Sequence, residues 1–463
     1  METSAISSSM SERLWTASLR SASWGAAVTH MMAAALAAVD PAQATIATLR
    51  REGEWLLVGE RRYDLQAFDR IWLVGAGKAG SAMAQATAQV LGDRLSGGII
   101  VVKDDGAPLP EIPGVTLMRA AHPTPDERSV LAGQRIATLL AQASERDLVV
   151  ALISGGGSAL LNLPVSGVTL ADIQQLTTEL LACGAPIGAI NTIRKHLDQI
   201  KGGGLVRMAA PATLVTLILS DVVGSPLEVI ASGPTVADPT TFAEALAVIE
   251  RYELRDRCPP AILAYLAAGA RGDHPETLKP NDPLLSKVQN VLIGSNAQAA
   301  QAALAAAQTA GFNTMILTTF LEGEAREVGQ VLAAIAREIV TSHQPLPAPA
   351  CLIAGGETTV TLRGTGRGGR NQELALSAAI ALDGLEHTAV IALATDGGDG
   401  PTDAAGAVAT GATVRRARAL GYDPVDHLRR NDAYPFFAAL DDLLRPGPTG
   451  TNVNDLVFIV VGG

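Results

Sequence analysis

The chain has 463 residues, of which 48% are hydrophobic, 17% charged and 3% aromatic, with 46 glycines and a formal net charge of -11. That length suits two or three domains and that composition suits a well-packed α/β enzyme, not a disordered chain. The acidic balance, the lack of any basic run and the shortage of aromatic stacking surface exclude nucleic acid and anionic membrane as partners.

Residues 1–24 read as an N-terminal extension, with the serine-rich residues 1–12 expected to be disordered and Met10 as an alternative start. Next comes an Ala-rich stretch from Gly25 that ends at Asp40-Pro41. Thr29 and His30 interrupt it, so a helix is the better reading than the apolar region of a secretory signal. No stretch is long and apolar enough to span a bilayer. Three isolated cysteines (Cys183, Cys258 and Cys351) lack metal-ligand spacing, which suits a reducing, cytoplasmic setting.

Strands and helices then alternate. Ile71–Val74 is an apolar strand, followed by a glycine turn and the helix Ser81–Leu91; Gly98–Val102 is the next strand. Helix Glu127–Ser144 precedes strand Leu148–Ile153, a second glycine turn and a helix over Leu170–Leu181. Helix Ile187–Ile200 and strand Thr213–Leu219 close this half. Apolar runs bounded by glycine turns and separated by helices indicate βαβ units around a buried parallel sheet. The proline-rich stretch ending at Pro283 marks the boundary, giving domains over 25–285 and 286–463. In the second, Val288–Ile293, Met315–Leu317, Thr359–Leu362, Val390–Ala394 and Asp455–Val461 read as strands, with helices Ala297–Ala310 and Glu324–Thr341 and a helix beginning near Asn371.

The glycine turns carry the chemistry. Gly75-Ala-Gly77-Lys78-Ala-Gly80 satisfies the dinucleotide pattern, and Asp104 follows the next strand where a ribose-binding acid would sit. A plain tight turn gives the same letters. Lys78 favours phosphate chemistry, because a lysine here neutralises a phosphoryl group and hydride transfer has no need of it. Ser154-Gly155-Gly156-Gly157-Ser158, at the end of the next parallel strand, reads as an anion nest with two hydroxyls. Arg194, Asp198 and Lys201 share a helical face, as an anion clamp or as a solvated ladder of ion pairs. Asp221 follows an apolar strand, where it can bind Mg²⁺, accept a substrate proton or cap a helix.

In the second half, Gly355-Gly356-Glu357 leads towards Gly364-Thr365-Gly366-Arg367-Gly368-Gly369-Arg370 and a helix start. Four glycines, a helix N-terminus and two arginines describe an anion loop, most simply for phosphate. Asp396, Asp399 and Asp403 sit in an acidic glycine turn suited to a hard divalent cation.

Taken in order, VGAGKAG, SGGGSALL, NTIRKHL, LSDVVGSPLEVIASGPT, GGETTV, GRGGRNQE, TDGGDG and TNVNDL resemble the class II glycerate 2-kinase family, whose C-terminal part is the MOFRL domain. The resemblance covers residues 25–463. It implies a larger N-terminal Rossmann-like α/β/α sandwich and a smaller C-terminal α/β domain, with an active site in the interdomain cleft. It also implies transfer of the γ-phosphoryl group of ATP to the 2-hydroxyl of D-glycerate, with Mg²⁺, by a monomer or homodimer. The family's functional lysine, arginine and strand-end aspartate carry over to Lys78, Arg370 and Asp221. Substrate and phosphate binding is expected of Gly77, Ser154, Gly155, Gly156, Gly157, Ser158, Arg194, Glu357, Gly366, Gly368, Gly369, Asn371 and Asn452, and Mg²⁺ binding of Asp396 and Asp399. Relatives often carry the label hydroxypyruvate reductase, so a nicotinamide-dependent reductase is the alternative, and a ligand sensor without turnover is a third reading.

Overall fold

The computed structural model describes residues 10–463, so the expected disordered segment lies outside the described residues up to Ser9. Residues 10–13 already form a helical turn and Ala17–Ser21 a helix, so the rest of the presumed extension is structured. The chain divides into two units: one is Pro41–Ile293, the other residues 10–40 together with Gly294–Gly463.

The first unit opens with a small antiparallel meander, β1 (Leu49–Glu52), β2 (Trp55–Val58) and β3 (Arg61–Asp64). Its six-stranded sheet follows: β4 (Arg70–Ala76), β5 (Leu95–Lys103), β6 (Val115–Ala120), β7 (Asp147–Ile153), β8 (Thr213–Leu219) and β9 (Val288–Gly294). The spatial order is β6-β5-β4-β7-β8-β9, with β5–β6, β4–β5, β4–β7 and β7–β8 all parallel. This is the doubly wound order, and it bears out the expected parallel sheet. Burial explains the composition of its centre: every residue of β7, DLVVALI, is buried, as a strand covered on both faces requires. The order reverses between β4 and β7, in register at Gly75–Leu152 and Ala76–Ile153. Loops leaving those two strands therefore diverge around one crevice at their carboxyl ends, where open α/β sheets bind ligands.

The second unit carries β10 (Asn313–Leu321), β11 (Ala350–Gly356), β12 (Thr388–Ala394), β13 (Gly406–Thr410), β14 (Leu443–Leu444) and β15 (Asp455–Val461), ordered β10-β11-β15-β12-β13-β14. Only β10–β11 is parallel, because the last strand threads the middle of the sheet antiparallel to both neighbours. The sequence reading differs here in several ways. Val288–Ile293 belongs to the first sheet, not the second domain. Thr359–Leu362 forms no strand and makes a single bridge, Thr359 to Glu324. Helix Gly25–Ala38 packs on helix Asn296–Thr309 of the second unit, whose buried face of Ala299, Ala300, Ala303 and Ala307 allows close approach. Among the described residues no helix is long and apolar enough to cross a membrane.

Candidate active site

Three strand ends converge in the first unit. The turn after β4 spans Gly77–Gly80, and all four of its amides are committed to the protein. Gly77 donates to the Val101 carbonyl, Lys78 to Gly155, Ala79 to the Ser154 hydroxyl and Gly80 to Gly77. A pyrophosphate would find no donor left there, although that is where the dinucleotide pattern places it. Asp104 is equally engaged: Arg119 and Arg128 hold it at 2.8 and 2.6 Å, and they lower its pKa to about 2. The glycines of this turn serve packing: a Cβ on Gly77 would lie 2.0 Å from the Ser154 hydroxyl after β7, and one on Gly80 3.0 Å from Ile100 of β5.

The turn after β7 is different. Ser154 and Gly157 donate within the protein, whereas among the described residues the amides of Gly155 and Gly156 have no partner. Gly156 has φ +84, and a Cβ there would lie 2.9 Å from the His122 ring and 3.4 Å from Lys78 Cγ. A Cβ on Gly155 would lie 2.0 Å from Asp221 Oδ2, so β8 delivers that carboxylate hard against the turn. Only glycine allows both approaches. Two unclaimed amides thus sit between Asp221 on one side and the exposed Lys78 on the other, a small anion nest with an acid or base and a cation beside it. Lys78 makes no ion pair among the described residues.

Gly156 and Asp221 open onto a cavity of about 450 Å³, lined also by His122, Ser158, Asn191 and Arg194 among others. Its floor is strained. Ala231 and Ser232 hold φ of 50 and 62, and Ser232 Oγ lies 2.9 Å from Ser158 Oγ and donates to Asn191 at 3.2 Å. Consecutive left-handed non-glycine residues cost on the order of 1 kcal/mol each or more, and such strain persists where the surroundings enforce a geometry. His122 is a site residue that sequence reasoning missed. Burial first, then Lys78 and Lys103, lowers its pKa to about 4, so the ring is neutral at pH 7. A lone histidine before a proline, between two regular elements, carries no spacing signal.

The expected face Arg194–Asp198–Lys201 is not a ladder. The helix ends at His196, and Asp198 and Lys201 form a buried pair of 2.8 Å, with Lys201 also donating to Leu161 and Asn162. Arg194 stays outside that pair and faces the cavity.

In the second unit Arg370 opens helix Arg370–Leu382, and Glu357 and Asp455 hold it at 2.7 and 2.6 Å. Burial opposes its charge, but those carboxylates outweigh the cost and raise its pKa. The first part of the loop before it is closed against its own chain, whereas among the described residues the amides of Thr365, Gly368, Gly369 and Arg370 keep no partner. Gly364 donates to the Asn431 side chain, Gly366 to the Arg430 carbonyl and Arg367 to Asp432. A Cβ on Gly366 would lie 2.5 Å from Asp432 Cβ, on Gly369 2.3 Å from Asp399, and on Gly368 3.3 Å from the Ala433 amide. The glycines let the loop press against its own chain. Arg367 lies 4.2 Å over the Tyr434 ring.

The acidic turn is likewise corrected. Asp399 is buried and accepts from the amides of Asn371 and Gln372 at 3.2 and 2.9 Å, and from the Gln372 side chain at 3.0 Å. It caps the helix start, as an anion at that position does. Burial raises its pKa to about 6. With both oxygens used it does not fit as a Mg²⁺ ligand, and Asp396 is exposed and accepts from Gly398 at 3.0 Å. No group of three or more His, Cys, Asp or Glu among the described residues has the geometry of a metal cage. Asn452 accepts from the Asn454 amide at 3.1 Å, shaping the turn into β15.

The chain is similar to known proteins along most of its length. Residues 27–267 match a model described as a domain of unknown function (DUF4147), and residues 350–455 match the MOFRL family. The chain is 46% identical to D-glycerate 2-kinase of Thermotoga maritima, across 84% of this chain and 90% of that protein. It is 40% identical to glycerate 2-kinase of Pyrococcus horikoshii, across 93% and 96%. The chain belongs to the glycerate 2-kinase family. Family members also carry another name: a protein of Agrobacterium vitis called a putative hydroxypyruvate reductase is 45% identical over 85% of this chain and 87% of its own. Among solved structures, the glycerate kinase of Thermotoga maritima matches with a TM-score of 0.83 at 41% identity, covering 93% of this chain and 97% of that one. A Pyrococcus horikoshii protein matches with the same TM-score at 40% identity, covering 94% and 97%.

Proposed function

We propose that this chain is an ATP-dependent glycerate 2-kinase acting in the cytoplasm. The observation that carries this reading is the Ser154–Ser158 turn, whose two unclaimed amides lie between Lys78 and Asp221 at the mouth of a cavity. The substrate's 2-hydroxyl oxygen attacks the γ-phosphorus of ATP, the bond from that phosphorus to the β,γ-bridging oxygen breaks, and ADP leaves. The hydroxyl proton passes to Asp221, which stands ready at the end of β8. The amides of Gly155 and Gly156 and the ammonium of Lys78 stabilise charge on the transferring group. His122, neutral at pH 7, adds a hydrogen-bonding edge without adding charge. The ATP phosphates bring Mg²⁺ with them, as nucleotides do, so no resident cage is needed. Arg370 keeps the catalytic role that the family motif gives it, with Glu357 and Asp455 as positioning residues.

A nicotinamide-dependent reductase gains nothing from this geometry. The four amides of the Gly77–Gly80 turn are used, and Asp104 is locked between two arginines. The deciding experiment is a coupled assay of the purified protein with D-glycerate, run with and without ATP and Mg²⁺, that separates 2- from 3-phosphoglycerate. Formation of 2-phosphoglycerate only when ATP is present supports the kinase. NADH oxidation with hydroxypyruvate and no ATP use would overturn it.

A further inference from the structure

Arg194 is a cation without a countercharge. It lies in the helix Ile187–His196, is partly buried, lines the 450 Å³ cavity and makes no ion pair or side-chain hydrogen bond among the described residues. Its neighbour Asp198 has nothing to offer. One oxygen of Asp198 accepts from the amides of Ile200 and Lys201, the other from the Leu163 amide and the Lys201 ammonium. That pair is closed on itself, so the charge of Arg194 is surplus. Burial lowers its pKa, yet a guanidinium remains protonated at any working pH. Holding a charge partly out of water with no partner is costly, and proteins keep such an arrangement where a ligand completes it. The same cavity holds Asp221 and Gly156, where a hydroxyl is to be activated.

We propose that Arg194 receives the carboxylate of the substrate in a two-pronged hydrogen bond, leaving the hydroxyl on the adjacent carbon to Asp221. The site is therefore a reader of 2-hydroxy acids, selecting them over neutral polyols by the charge at one end. This inference rests on the kinase reading. A guanidinium fork suits phosphate as well as carboxylate, so the nucleotide is the competing source of the anion.

The test compares wild type with Arg194→Met and Arg194→Lys, measuring kcat and KM for D-glycerate, for its neutral amide glyceramide and for ATP. Removing one member of a desolvated charge pair raises KM for D-glycerate on the order of 30-fold or more. Arg194→Lys recovers part of that, while KM for ATP and for glyceramide moves less than about threefold, since neither uses the lost fork. An unchanged KM for D-glycerate overturns the proposal, and a rise confined to ATP assigns Arg194 to the nucleotide instead. Melting temperature separates a folding defect from a binding one. Should wild type show no kinase activity, that reading falls by itself; calorimetric titration of D-glycerate into wild type and Arg194→Met then still decides Arg194, with equal affinities overturning its role.

Discussion

Asp221 stands so close to Gly155 that a single methyl group on the glycine would sit 2.0 Å from its carboxylate oxygen. Substituting Gly155→Ala must displace either the turn or the carboxylate. A misplacement of about 1 Å in a reacting group costs on the order of 100-fold in rate. The expected result is a fall in kcat of that size with little change in KM, read from steady-state kinetics, while circular dichroism stays that of wild type.

Lys78 is exposed and makes no ion pair among the described residues, so removing it leaves nothing unpaired. Lys78→Met is expected to keep the wild-type melting temperature and to lose on the order of 1,000-fold in kcat, as loss of a transition-state cation does. A variant with near-normal turnover would remove Lys78 from the mechanism.

Arg370 is the opposite case. Its loss leaves Asp455 buried without its cation, and breaking such a pair costs about 3–5 kcal/mol. Loss of activity in Arg370→Met alone is therefore ambiguous. In the double variant Arg370→Met with Asp455→Asn the buried charge is gone, and stability is expected to return in large part. Activity is expected to stay absent. Recovery of both would make Arg370 a structural residue.

Asp198 and Lys201 are buried partners, and burial lowers the pKa of the lysine. Asp198→Ala strands an ammonium in the interior and is expected to cost about 3–5 kcal/mol in urea denaturation. Asp198→Ala combined with Lys201→Met is expected to be much less damaging, since both charges are removed.

His122 supplies a pH signature. Its folded pKa, about 4, lies below the usual histidine value of 6.5. The unfolded chain therefore binds the extra proton in the interval between them, and stability falls as pH drops from 6.5 towards 4. Proton NMR is expected to show its ring titrating near 4, and His122→Gln to flatten that part of the stability curve. A ring titrating at 6.5 would place it in open solvent.

The parallel sheet was legible because buried strands such as LVVALI advertise themselves and their turns are glycines. The meander β1–β3 was not, since its strands carry arginines and glutamates on exposed edges and lack clean alternation. At the site, residue type pointed to Lys78, Asp221 and the Ser154–Ser158 turn, all found around one crevice. What letters could not say is what each glycine is close to. In SGGGS the neighbours are Asp221, His122, Lys78 and Ala231; in GTGRGG they are Arg430, Asp432, Ala433 and Asp399. Among the described residues both loops keep unclaimed amides, Gly155 and Gly156 in the first and Gly368, Gly369 and Arg370 in the second, but the second also presses its leading half against its own chain. Nor could the letters say that a helix start takes both oxygens of Asp399 in the acidic turn.

The helix Gly25–Ala38 is made early and finished late. It belongs with Gly294–Gly463, so the whole of Pro41–Ile293 is interposed in the chain between that helix and the elements it covers. During synthesis Val28, Met31, Met32 and Leu36, all buried in the finished protein, leave the ribosome with only the short helix Ala17–Ser21 beside them until helix Asn296–Thr309 has been translated. The inserted unit has no such wait, since every strand of its own sheet emerges in one run. Vectorial folding would thus complete the middle of the polypeptide before either end, and the early apolar helix is the segment most in need of a chaperone meanwhile.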